Sequence, residues 1–210
     1  MSRYHYYQDL KALAREVRAK YGILSARVMR SDMRRIYRSE GIRIDIWRRR
    51  LRGLRGAYFN DELGPTVMVA GSLPPEPMIF TFGHELKHHL VDRNNGSGFC
   101  AESNRHDAIE IGAEIFAAEL IFPEDEFCKK LAAMGGDQGR CTAETIVHLK
   151  HETDTTMSHA ALAKRAEYLK YAPEGSLQTV KWTKLSEDLY GEPLYKRLVR
   201  RQSFRAPSAG

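Results

Sequence analysis

No apolar run in this 210-residue chain is long enough to cross a bilayer. The opening residues, Met1-Ser2-Arg3-Tyr4-His5, have no apolar signal core behind them, so export by that route is not expected and a cytoplasmic setting is. Cysteine is scarce. Cys100, Cys128 and Cys141 are an odd, widely spaced set, which argues against a disulfide framework and for reduced thiols. They also lack the paired spacing of a cysteine zinc site, and Cys128 and Cys141 read as ordinary thiols; Cys100 alone lies in a loop that can approach a centre nearby. Acidic residues are scarce at one end: residues 1–56 hold 16 Lys/Arg against 5 Asp/Glu, and the remainder holds 17 against 22. The basic half has the charge to face nucleic acid or an acidic protein, but such runs are commonly solvated faces, and direct DNA contact is not the favoured reading. Core material is present in ordinary amount: 42% of residues are apolar and 29% charged, over a length that suits one domain or a domain with a small appendage.

The periodicity predicts an α+β fold: a small mixed sheet packed against helices, followed by a mostly helical C-terminal segment. Leu10, Leu13, Val17 and Tyr21 recur at helical spacing and predict a helix over 7–21, stopped by Gly22. A second helix is expected over 29–39. Ile42-Arg43-Ile44-Asp45-Ile46 alternates as a half-buried strand does, and Ala57–Phe59 and Thr66–Ala70 read as two more. A helix over about 78–91 follows a Pro-rich turn. Residues 92–106, polar and rich in Gly, Asn and Ser, read as a loop. Further helices are expected at 107–121, 123–134, 142–151 and 158–170, with Ser158 capping the last. A strand over Leu177–Trp182, a final helix over 192–201 and a frayed end at 202–210 complete the reading. The division expected is a domain of residues 1–135 and a mostly helical region of 136–210.

The chemistry concentrates in His84-Glu85-Leu86-Lys87-His88. Residues four apart share a helix face, so His84 and His88 can address one ion. Glu85 can then reach a water on that ion as general base. Two neutral nitrogens and one carboxylate leave zinc an open position, and the mixed donor set accepts Mn²⁺ as well. For the third ligand the next helix offers Glu110 and Glu114, one turn apart. The reading assigns Glu110 as ligand and Glu114 as the carboxylate that orients an imidazole, with the exchange of the two as the alternative. Ala113, Ala117 and Ala118 keep that helix narrow, as for close packing on a neighbour. His89 points about 100° away from His88 and is expected outside the site. His106 and Asp107 are weaker ligand candidates, and His148, His151 and His159 are expected to serve the surface or the substrate.

Phe80-Thr81-Phe82-Gly83-His84-Glu85-Leu86-Lys87-His88-His89-Leu90 resembles the signature helix of the ImmA/IrrE family of zinc metallopeptidases. Glu110-Ile111-Gly112-Ala113-Glu114-Ile115-Phe116-Ala117-Ala118-Glu119-Leu120-Ile121-Phe122-Pro123 is similar to its second signature, and the likeness covers about residues 7–135. The resemblance implies His84 and His88 as ligands, Glu85 as base, and a glutamate of the second signature as third ligand. Gly112 departs from the pattern, because the family often has an acid there. The family also implies cleavage of a DNA-binding repressor in bacteria or phage, and so a role in derepression. The resemblance also implies a helix-turn-helix-like unit at 142–170, in which Met157–Ala166 is similar to the second helix, although a plain helical hairpin fits that segment better, since this half is not strongly basic. The rival expectations are a regulatory protein that binds DNA or a repressor without cutting it, and the partner of a toxin–antitoxin pair. A substrate strand is expected to add beside Thr66–Ala70.

Overall fold

The computed structural model describes residues 2–48, 54–93, 98–99, 107–136 and 138–193. In chain order the described elements are α1 (Arg3–Lys20), α2 (Arg30–Ser39), β1 (Arg43–Trp47), β2 (Gly56–Asp61), β3 (Gly64–Ala70), α3 (Pro75–Val91), β4 (Gly98–Phe99), α4 (Ala108–Ile121), α5 (Glu124–Ala133), α6 (Ala143–Thr153), α7 (His159–Tyr168) and α8 (Trp182–Tyr190). The fold is α+β, as the periodicity predicts. Cys100, His106, the end at 202–210 and nearly all of the helix expected at 192–201 lie outside the described residues.

The sheet runs β1-β3-β2-β4. β1 pairs parallel with β3, Ile44 opposite Val67, while β2 pairs antiparallel with β3 through a tight turn at Glu62-Leu63. Gly64 takes φ +89° at the end of that turn, where a side chain would be strained. β3 is therefore an inner strand with both edges hydrogen-bonded. This corrects the expectation that a substrate strand adds beside Thr66–Ala70; the outer strands are β1 and β4. The loop expected over 92–106 also contains β4, which pairs with β2 at Ala57 and Tyr58.

Helix α3 begins three residues before the expected start. Pro75 and Pro77 both fall in its first turn, where a missing N–H costs nothing. Its buried face, Met78, Ile79, Phe82 and Leu86, packs on the sheet and on α4. α2 buries Met33, Ile36 and Tyr37, and the Tyr37 hydroxyl donates to the Phe82 carbonyl at 2.6 Å, which pins α2 to the middle of α3. α1 lies along α4, and one apolar cluster runs from Leu10 to Leu177.

In the helical C-terminal region Ser158 caps α7 through Ala161 N–H, as expected. The strand expected at Leu177–Trp182 is not formed. Turns occupy 174–179, and α8 starts at Trp182 because Trp182, Leu185 and Leu189 repeat at helical spacing on one side. The Tyr190 ring stacks on His151 at 3.7 Å and its hydroxyl lies 2.6 Å from His148 Nδ1, so both histidines serve to hold α8. The basic residues of α7 are turned toward α4: Lys164 donates to Glu114 at 2.9 Å, and Arg165 to Glu119 at 2.8 Å. A helix whose cations are engaged this way is docked on protein, which favours the helical-hairpin reading of this unit over DNA readout.

Candidate metal centre

Two helices build the site. α3 carries His84 and His88 one turn apart, and α4 brings Glu110 across to them. The helices approach closely because Gly83 faces Ala117: a Cβ at 83 would lie 3.1 Å from the Ala117 methyl. Asp107 caps α4, accepting from Ile109 N–H at 3.1 Å, and so is spent on the helix rather than on a ligand role.

His84 Nε2 lies 3.2 Å from Glu110 Oε2 and 3.3 Å from His88 Nε2. His88 Nε2 lies 3.6 Å from Glu110 Oε1. One donor atom from each of His84, His88 and Glu110 thus falls within 4.8 Å of the others, an arrangement able to surround a single ion. The His84 and Glu110 side chains keep 14% and 16% of their exposure, so the cluster opens to solvent on one side. Burial by itself would lower the His84 pKa, but the Glu110 hydrogen bond and the charges of Glu85, Glu110 and Glu114 outweigh it and raise it above the ordinary value. The surroundings of His84 therefore favour positive charge, and the donor chemistry of two nitrogens and a carboxylate fits a divalent ion such as zinc.

Glu85 is 1% exposed and lies against the start of β2: a Cβ on Gly56 would come within 2.7 Å of its Oε1. The same Cβ would come 2.5 Å from the Thr81 methyl, so a side chain at 56 would press on both residues.

The orienting carboxylate is one that the sequence reading missed. His88 Nδ1 donates to Asp92 Oδ2 at 2.7 Å, which leaves Nε2 directed at the cluster. The same oxygen accepts from Lys87 Nζ at 2.6 Å, and Lys87 also donates to the Ile109 carbonyl at 3.0 Å. Burial alone would raise the Asp92 carboxyl; the His88 and Lys87 hydrogen bonds and the Lys87 charge outweigh that and hold it below the usual range. Glu114, expected in this orienting place, instead sits at the rim with its side chain 46% exposed and paired with Lys164. One turn beyond Glu110, it is carried past the imidazoles toward α7. The signal that could have found Asp92 is its spacing, four residues after His88 on the same face.

Lys87 is fully buried, and its side chain ties α3 to the residue before Glu110. Lys87→Met is expected to cost about 3 kcal/mol of stability, because Asp92 loses its buried partner. It should also weaken ion affinity roughly tenfold through the freed carboxylate. Thermal melting and chelator competition measure the two effects; wild-type values for both would show the network to be idle.

His89 faces the sheet, its Nδ1 3.1 Å from the Tyr58 hydroxyl, outside the cluster as expected. Gly112 faces α1: a Cβ there would meet Leu10 at 2.7 Å and Tyr6 at 3.0 Å. An acid at 112 would point away from the imidazoles, so glycine at this position takes nothing from the cluster. Cys128 is half-buried, and burial pushes the Cys141 thiol up to about 11, so Cys141 is an inert core thiol. A cavity of about 910 Å³ lies at the opposite end of α3, bordered by Met78, Lys150 and His159, and none of the cluster residues lines it.

The family model of the IrrE N-terminal-like domain, a peptidase domain, matches residues 40–167, more than half of the chain. The chain belongs to this family. The matched stretch of the IrrE-like domain holds the sheet, both cluster-bearing helices, α5, α6 and most of α7. Membership brings a metallopeptidase type of function and a protein as substrate class. No curated protein matches the chain. Among the described residues, no helix is long and apolar enough to cross a membrane.

Proposed function

We propose that this chain is a zinc-dependent endopeptidase of the cytoplasm whose substrate is a protein, with a DNA-binding repressor carrying a helix-turn-helix domain as the specific target. The observation that carries the reading is the convergence of His84, His88 and Glu110 beside a buried Glu85. A purely structural metal site has no use for that fourth residue. In this reading residues 1–135 form the catalytic unit and 136–210 an accessory helical region.

Bound among these three residues, a divalent ion supplies Lewis-acid polarisation of a scissile carbonyl and a water of lowered pKa. His84 and His88 offer Nε2, and Glu110 offers a carboxylate oxygen. Asp92 holds the proton of His88 on Nδ1, so that Nε2 keeps its lone pair free. Glu85 takes a proton from the attacking water onto its carboxylate and returns it to the leaving amine. Its seat against the Gly56 backbone limits the directions in which it can act.

The test is metal content and metal dependence. Purified protein is expected to carry one divalent ion per chain, and chelation is expected to stop cleavage of a repressor with a helix-turn-helix domain, with zinc restoring it. A protein that carries no ion and gains none on reconstitution would sink the peptidase reading and leave a binding protein.

A further inference from the structure

The outer face of α2 carries a row of cations that the metal centre does not use. Arg30, Arg34 and Arg38 recur every fourth residue and are exposed, along the flank of the face that buries Met33, Ile36 and Tyr37. None of the three has an ion-pair partner among the described residues. The acids nearby are already engaged. Asp32 accepts from Met29 N–H at 2.8 Å and from Arg35 at 3.1 Å, and Glu40 accepts from Lys20 at 2.7 Å. Arg27, just before the helix, pairs with Asp154.

This row works against its own helix. Like charges four residues apart destabilise a helix, and Arg30 is a cation at the first helical position, where the macrodipole favours an anion. A feature that costs helix stability and has no internal partner points to an external one. The three guanidinium groups stand about 6 Å apart along the axis, roughly 12 Å in all. Each strand of a DNA duplex presents a negative charge about every 3.4 Å of axis, so the row spans three or four phosphates of one strand. Arginine suits phosphate through its planar fork of donors, and a rigid ridge suits a rigid polyanion better than an acidic peptide of no fixed spacing.

We propose that the Arg30-Arg34-Arg38 ridge docks this protein on the phosphate backbone of duplex DNA, without sequence readout. Because Tyr37 on the same helix bonds the Phe82 carbonyl, two residues before His84, bound DNA lies one helix layer from the metal helix. If the repressor reading also holds, the ridge brings the peptidase to where its substrate sits; the docking itself does not depend on that reading.

The test is fluorescence anisotropy of the full chain with a labelled 30-base-pair duplex of arbitrary sequence, between 50 and 200 mM salt. Three phosphate contacts predict a loss of about 40-fold in affinity over that range. The triple substitution Arg30→Gln, Arg34→Gln, Arg38→Gln is expected to make the slope of log affinity against log salt shallower by about 2.7, with ion content unchanged and a melting temperature no lower than that of the wild type. No binding at 50 mM salt, a triple variant that binds as the wild type does, or polyglutamate competing as well as the duplex would each overturn the proposal. None of these readouts uses peptide cleavage, so a failure here is distinct from a failure of the peptidase reading.

Discussion

Glu85→Gln is expected to lower cleavage of a protein substrate by a factor of about 10²–10⁴ while leaving ion binding in place, the range typical of losing a general base. The substitution keeps the shape of the side chain, which matters because Glu85 has no spare room: it is 1% exposed and abuts the Gly56 backbone. It removes the negative charge and the proton-accepting oxygen together. The three donor residues are untouched, so chelator competition should give a wild-type ion affinity. Gel analysis of the substrate after timed incubation measures the first effect. Cleavage at the wild-type rate would mean that Glu85 is not the base. Loss of the ion together with activity would mean instead that its charge contributes to holding the cation, as its influence on the His84 pKa allows.

The parts of the fold and site that were legible in the sequence are those fixed by short-range geometry. His84 and His88 share a face because four residues make one helical turn, and the structure brings their Nε2 atoms to 3.3 Å. The Ala-rich side of α4 forecast close packing, realised where Gly83 meets Ala117. Two features were lost for reasons of chain topology. β1 reaches β3 by a parallel pairing that skips β2, so no local pattern shows that Thr66–Ala70 is an inner strand. Asp92 lay hidden because residue 92 reads as the start of a polar loop, although it ends the same helix turn that carries His88. Lys87 was legible only as one of the variable positions inside the motif. Its full burial depends on Asp92 and on the Ile109 carbonyl, two partners that only the packing of α4 on α3 brings together. At 177–182 a strand is expected, but the one-sided spacing of Trp182, Leu185 and Leu189 decides for a helix from Trp182 on.

Glu110→Ala is expected to abolish stoichiometric ion binding, lowering affinity by more than the 10–100-fold typical of outer partners. Glu114→Ala should bind the ion almost as the wild type does. The two glutamates are one turn apart on α4, yet they differ in reach: Glu110 lies 3.2 Å from His84 Nε2, whereas Glu114 spends its carboxylate on Lys164 at the rim. Asp92→Ala should fall between them, at about 10–100-fold, because it leaves the His88 ring free to turn and to hold its proton on either nitrogen. The order of the three affinities therefore reads out each role separately. Elemental analysis of the purified variants, followed by titration with a chromophoric chelator, measures it. If Glu114→Ala loses the ion and Glu110→Ala keeps it, the two glutamates exchange roles, and α4 must rotate on α3 when the ion binds. If Asp92→Ala has no effect, the tautomer of His88 is held by the ion alone, and the buried Lys87–Asp92 pair serves only to fasten α3 to α4.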